Sequence, residues 1–268
     1  MARKLIDLSI SIENDVEADL PGRGPTVTYL GHKDSVPLIA RTFEGLLPEH
    51  LPDGEGWATE RVELGTHSGT HMDAPYHYHS TQDAALDGGA RPSMTIDEIP
   101  LEWCWGRGVK LDFRHLADGH VVTAAEIEAE LARIGHVLQP LDIVVANTAA
   151  GAAYGQPGYL DRGCGFGREA TLYLTTRGVR VVGTDGWSWD APFASTAKRW
   201  KETGDPAIIW EGHKAGRDIG YCQLEKLNHL EELPSTGFEI LCFPVKVRGA
   251  SAGWSRVVGL LDRDRRTV

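Results

Sequence analysis

Several kinds of pattern are absent from this chain. It has only four cysteines in 268 residues, Cys104, Cys164, Cys222 and Cys242. None forms a C-x-x-C pair, which argues against a disulfide framework or a structural zinc knuckle, and they read as small buried hydrophobes. No apolar run approaches the length needed to span a membrane. The basic start Met1-Ala2-Arg3-Lys4 is not followed by a long apolar stretch, so no signal peptide is expected and the cytoplasm is the expected compartment. Positive charge is scarce. The balance of 27 Lys and Arg against 38 Asp and Glu leaves a net charge of −11, which repels phosphate backbones and argues against a nucleic-acid partner. There is no G-x-S-x-G nucleophile elbow, and Gly186-Trp187-Ser188-Trp189-Asp190 fails it at the last position. Gly163-Cys164-Gly165-Phe166-Gly167 lacks a preceding strand and the full phosphate-loop pattern, so it is expected to be a turn. Internal repeats and low-complexity linkers are missing too.

What remains is an ordinary globular composition, 41% hydrophobic and 24% charged, with enough apolar material for one substantial core and a single domain over 1–268. Leu5–Ile12, Trp57–Leu64, Gly108–Phe113, Asp142–Ala146, Val179–Gly183, Ala207–Trp210, Glu239–Val247 and Val257–Leu261 read as strands. Thr123-Ala124-Ala125-Glu126 is a capping box opening a helix that ends at Gly135. A second helix is expected over Arg168–Arg177, stopped by Gly178. Leu224, Leu227, Leu230 and Leu233 recur every three residues and suggest a short helix before Pro234, with Glu225 at its start. The mixture predicts an α/β or α+β fold. Residues 13–56 are long for a plain loop, which suggests a functional or oligomer-contact role.

The chemistry concentrates in His67-Ser68-Gly69-Thr70-His71-Met72-Asp73-Ala74-Pro75-Tyr76-His77, three imidazoles and a carboxylate in eleven residues. Such groups bind Zn²⁺, Mn²⁺ or Fe²⁺. Gly69, Thr70 and Pro75 disfavour a helix, so a strand running into a tight loop is expected to make the side chains converge. His67, His71 and Asp73 make a three-ligand set with open positions, the arrangement of a catalytic centre that acidifies water and polarises a carbonyl. The residues leave two roles open for His77, a general acid/base or a fourth ligand. His79 reads as an outer or surface histidine. Asp185 and Asp190 follow a strand in an aromatic-rich turn and are candidates for supporting the site. Trp57, Trp187, Trp189 and Phe193 could line an aromatic pocket or belong to the core.

The string H-S-G-T-H-M-D-A-P-Y-H resembles the signature of the cyclase-type metal hydrolases, a family that includes bacterial kynurenine formamidase, isatin hydrolase, trans-dienelactone hydrolase and some polyketide cyclases. The resemblance implies the swivelling β/β/α fold. It makes His67, His71 and Asp73 metal ligands and His77 the acid/base that serves the attacking water and the leaving nitrogen. It also pairs His213 with Glu225, twelve residues on, as further ligands that complete a two-metal site. Formamidases of the family carry a substrate-stacking Trp in the first loop. Here that loop, Glu13–Pro25, has none, and the length and the Trp187/Trp189 turn are more similar to the isatin-hydrolase branch. The implied activity is hydrolysis of a small cyclic or aromatic amide, isatin first. One or two Mn²⁺ or Zn²⁺ per chain and a homo-oligomer, dimer or tetramer, come with it. Formamidase, lactone hydrolase and polyketide cyclase activities, or a metal-binding module without catalysis, are the alternatives.

Overall fold

The computed structural model describes residues 3–83 and 89–262. A nine-stranded sheet organises them. In chain order its strands are β1 (Arg3–Asp7), β2 (His71–Asp73), β3 (Trp105–Asp112), β4 (Ile143–Asn147), β5 (Val181–Thr184), β6 (Cys222–Glu225), β7 (Phe238–Leu241), β8 (Ala252–Trp254) and β9 (Val258–Asp262). Across the sheet they run β1-β9-β7-β3-β4-β5-β6-β2-β8. The central four, β3 to β6, are parallel, and every outer pairing is antiparallel. Helices cross between the parallel strands: α1 (Ala124–Ile134), α2 (Arg168–Thr175), α3 (Phe193–Thr203) and α4 (Glu211–Asp218). The expected mixed α/β architecture therefore holds.

Parallel strands are covered on both faces, so they carry continuous apolar runs. In β4, Ile143 and Val145 enter one core while Val144 and Ala146 enter the other. Ile127 and Leu131 of α1 and Ala170 and Leu174 of α2 close the second core. The capping box forms as expected. Thr123 Oγ1 accepts from Glu126 N at 3.2 Å, Glu126 Oε2 accepts from Thr123 N at 2.8 Å, and Gly135 ends the helix at φ 67°. No helix among the described residues is long and apolar enough to cross a membrane.

Six expectations need correction. The Leu5–Ile12 strand ends at Asp7, and within the expected turn at 163–167 Gly165–Phe166 is a short strand paired with Val121–Val122. Ala207–Trp210 is not a strand. Pro206–Ile208 is a 3₁₀ turn capped by Asp205, and Trp210 turns left-handed at φ 54° to start α4. The leucine series is not a helix. Leu224 lies in the strand Cys222–Glu225, Lys226 and His229 have φ 56° and 53°, and Leu230 opens a 3₁₀ turn. Those pieces together send all four leucines into the same core, so the three-residue spacing mimics a helix. Glu225 thus ends a central strand rather than opening a helix. The Trp57–Leu64 strand is real over Thr59–Glu63, but it pairs with Thr26–Leu30 in a separate ribbon and does not enter the sheet. The Glu239–Val247 strand stops at Leu241, and β8 follows it unforeseen.

Candidate metal centre

The His/Asp motif enters as a loop, makes a three-residue strand and leaves through one helical turn, Pro75–Tyr78, with Pro75 at its first position. There a proline costs no hydrogen bond. Strand alternation puts His71 and Asp73 on one face and sends Met72 into the core. Register then places Glu225 of β6 directly beside His71. His213 arrives from the first turn of α4.

These groups converge on one point. His67 Nδ1 is 2.8 Å and His71 Nε2 3.2 Å from Asp73 Oδ1, while His77 Nε2 and His213 Nε2 each lie 3.8 Å from Asp73 Oδ2. Glu225 Oε2 is 3.6 Å from His71 Nε2. The atoms are close but do not pair. His71 Nε2 and both Asp73 oxygens are buried without a hydrogen-bond partner. Orphaned polar atoms in the interior cost free energy unless something satisfies them, and a cation does. Among the described residues two triples could hold an ion, His67/Asp73/His77 and His71/Asp73/Glu225, each with its donor atoms within 4.8 Å, and they share Asp73. By this test the residues fit a divalent metal.

The outer nitrogens fix the imidazoles. His71 Nδ1 faces the Gly69 carbonyl at 2.9 Å. A carbonyl only accepts, so Nδ1 bears the hydrogen and Nε2 turns its lone pair inward. His213 Nδ1 meets the Asp190 carboxylate, which also only accepts, so Nδ1 bears a hydrogen there too. Ser251 Oγ holds His67 Nε2 at 2.9 Å. Asp190 also accepts from the Gly212 and His213 backbone N–H groups at 2.8 and 3.0 Å, so a single carboxylate fixes both the start of α4 and the His213 ring. An Asp190→Asn variant should lower metal affinity about 10- to 100-fold, read by chelator competition. Unchanged affinity would show that α4 alone sets the ring.

The charges diverge in a shared low-dielectric space. Burial opposes ionisation of Asp73, but the surrounding imidazoles prevail and hold its carboxyl well below the usual range. Burial and then the Asp73 charge push Glu225 upward. Burial, reinforced by the other imidazoles against Asp73, drops His77 to about 4. His213 rises to about 9, because Asp190 outweighs the cost of its burial.

A cavity of about 230 Å³ opens on the cluster, walled by Leu20, Trp187, Phe193 and Trp210. Trp210 stacks on His213 with ring centroids 4.8 Å apart. Of the tryptophans singled out from sequence, Trp187 lines this cavity. Trp189 is fully buried, stacked on Phe166 at 3.9 Å and donating to Thr171, so it belongs to the core. Trp57 is half exposed and does not line the cavity. His79 bonds to Thr81 and stays outside the cluster. Asp185 accepts from Thr148 and also stays apart. The glycine stretch at 163–167 is structural. A Cβ on Gly165 would meet the Ala191 nitrogen at 2.0 Å, and Phe166 N donates to the Trp189 carbonyl, so the stretch docks the turn that carries Asp190.

Sequence reasoning missed Trp210, Ser251, Lys226 and Asp19. Lys226 Nζ, buried beside Glu225, donates to the Asp19 carboxylate and to the His67 carbonyl. No local pattern marks these residues. A larger groove of about 700 Å³ lies between β3 and α1, but its arginines pair with their own neighbours, Arg114 with Asp112 and Arg133 with Glu130. It offers no converging ligands.

Residues 6–191 match the family model Cyclase, described as "Putative cyclase". A kynurenine formamidase of Erythrobacter litoralis (strain HTCC2594) is 26% identical over 208 residues, 78% of this chain and 79% of that protein. Among solved structures, an isatin hydrolase bound to the product analogue thioisatinate superposes with a TM-score of 0.75 at 18% identity, covering 97% of this chain and 93% of that one. Isatin hydrolase A of Labrenzia aggregata, bound to benzyl benzoate, gives 0.72 at 20% identity, with 97% and 94% covered. These likenesses place the fold among the cyclase-type metal hydrolases.

Proposed function

Since the chain belongs to this Cyclase family, we propose that it is a metal-dependent hydrolase of a small cyclic or aromatic amide, with isatin as the first substrate to try. The observation that carries the proposal is the buried Asp73 carboxylate, bare of hydrogen bonds and faced by four imidazoles at the base of an aromatic-walled cavity. His67, His71 and Asp73 would hold the metal. His213 and Glu225 would complete its shell or hold a second ion that shares Asp73. Bound there, a divalent cation, Mn²⁺ or Zn²⁺, supplies Lewis acidity towards the amide carbonyl and acidifies water.

The protein's own groups do the rest. Trp187, Phe193 and Trp210 present flat apolar walls to an aromatic ring, and they exclude bulk water. His77 is neutral at physiological pH because burial holds its proton affinity low. It can therefore accept a proton from the attacking water. The water oxygen bonds to the carbonyl carbon, the C–N bond breaks, and the proton on His77 passes to the leaving nitrogen. The products are a carboxylate and a freed amine. A His77→Ala variant should keep its metal and lose turnover by about 10²–10⁴-fold. If the metal is lost as well, His77 is a ligand.

Kynurenine formamidase activity is the second reading, favoured by the relative from Erythrobacter litoralis. The deciding experiment measures metal content and then the turnover of isatin beside N-formylkynurenine by Mn²⁺- and Zn²⁺-loaded protein. Preference for isatin supports the first reading, and preference for the formamide supports the second. Metal bound with neither amide cleaved would overturn both and leave lactones, a cyclase reaction or a metal-binding module. The proposal extends to one cytoplasmic domain working as a homo-oligomer. The exposed Tyr29, Phe43 and Trp57 give apolar surface for such a contact.

A further inference from the structure

A second cavity of about 600 Å³ adjoins the first, and Leu20, His67 and Trp187 line both. The inner chamber alone is smaller than most ligand sites, which run from about 300 Å³ upward. The outer one is built from the loop around Asp19–Thr26 and from Glu63–Ser68. Its charges are unequally committed. Asp19 is held by Lys226, and Glu63 by Arg61 at 2.6 Å. Arg23 also lines the chamber, and among the described residues its guanidinium has no acidic partner. The backbone carrying it is fixed. Arg23 N donates to the Leu20 carbonyl at 2.9 Å, and the Arg23 carbonyl accepts from Ser68 Oγ at 3.4 Å, which ties the outer loop to the metal loop.

We propose that the outer chamber is a second substrate subsite, which receives an anionic arm carried by the aromatic amide, with Arg23 as its counter-charge. The proposal rests on the hydrolase reading and names the substrate class within it: an amide ring small enough for the inner chamber, bearing a carboxylate-terminated substituent that crosses the Leu20/His67/Trp187 threshold. A protein of net charge −11 repels anions at long range. Arg23, exposed and lining the outer chamber, offsets that repulsion locally for a ligand that reaches it, and a guanidinium binds a carboxylate through paired N–H donors.

The test compares isatin with isatins bearing a propyl or a carboxyethyl arm, placed in turn at the ring nitrogen and on the benzo ring. Turnover is measured with metal-loaded protein, and binding is followed separately by tryptophan fluorescence. At low salt the carboxyethyl compound should exceed the propyl compound in kcat/KM by about three- to tenfold in at least one series, as expected for a partly screened charge pair. Arg23→Ala should bring that ratio to about one, Arg23→Glu should invert it, and Arg23→Lys should restore part of it. Gly24→Phe is the steric control. Gly24 lines the outer chamber and a Cβ there meets nothing within 4 Å, so a ring introduced there should narrow the chamber and lower both armed compounds relative to isatin. Hydrolysis with no preference for the acid in either series overturns the subsite and leaves the hydrolase. Preferential binding of the acid that is lost in Arg23→Ala, without hydrolysis of any compound, supports the subsite and overturns the hydrolase reading. Neither binding nor turnover overturns both.

Discussion

An Asp73→Asn variant should be purified with almost no metal, and its kcat/KM should fall by more than about 10³. Changes in residues that only orient ligands cost about 10–100-fold in affinity. Asp73 sits closer to the centre than that. Its side chain is 1% exposed, and its two oxygens are the atoms on which His67, His71, His77 and His213 converge. The amide is isosteric, so the fold should persist, but it brings two N–H donors and no charge into a ring of imidazoles. A factor of 10³ corresponds to about 4 kcal/mol. Elemental analysis reads the loss directly, and thermal melting reads it independently. A ligand that binds only the folded state raises stability, so Mn²⁺ or Zn²⁺ should raise the melting temperature of the wild type and leave that of the variant unmoved. Full metal occupancy in Asp73→Asn would remove Asp73 from the ligand set.

Lys226→Met should be among the most destabilising single changes in the molecule, although Lys226 lies beside Glu225 at the edge of the cluster. The Lys226 and Asp19 side chains are 1% and 9% exposed. Removing the cation leaves a carboxylate buried without a partner, which costs about 3–5 kcal/mol. That is a large share of the 5–15 kcal/mol typical of a whole fold. The double variant Asp19→Leu/Lys226→Met should recover most of the loss, because replacing a buried pair with apolar groups is close to neutral. Urea unfolding of the four-member cycle measures both. If the double variant is as unstable as the single, the penalty comes from the lost packing of the lysine stem. The loop that carries Leu20 should also loosen in Lys226→Met, since Nζ ties it to the His67 carbonyl.

The contrast between these two residues explains what was legible in the sequence. Asp73 lies in a run where strand alternation and one helical turn bring neighbours in sequence together in space, so the motif announced itself. His213 and Glu225 come from a helix and a strand whose placement depends on the whole sheet, and only the family resemblance singled them out. Asp19 and Lys226 are single residues of common types, and what joins them is a distant loop meeting a strand end. Trp187 and Trp189 are two apart in an irregular turn with no period to assign them, and one faces the cavity while the other enters the core. The parallel strands were legible because burial on both faces leaves unbroken apolar runs. The leucine series misled because three short pieces of different structure imitate one helical face. Ala207–Trp210 misled because its apolar residues precede a left-handed turn that no propensity predicts.

Strand β2 lies between β6 and β8, both of which come much later in the chain. During synthesis the histidine motif therefore leaves the ribosome long before either flanking strand exists. Its donors are then a few scattered side chains on an unpaired segment, competing with every other imidazole in the cell for a metal ion. Glu225 and His213 must be made before the cluster closes, and Ser251 before His67 is pinned. A metal held by this cluster would therefore be loaded only once His213 and Glu225 are in place. A messenger cut short before residue 213 would give a chain that keeps its whole signature motif and lacks both His213 and Glu225.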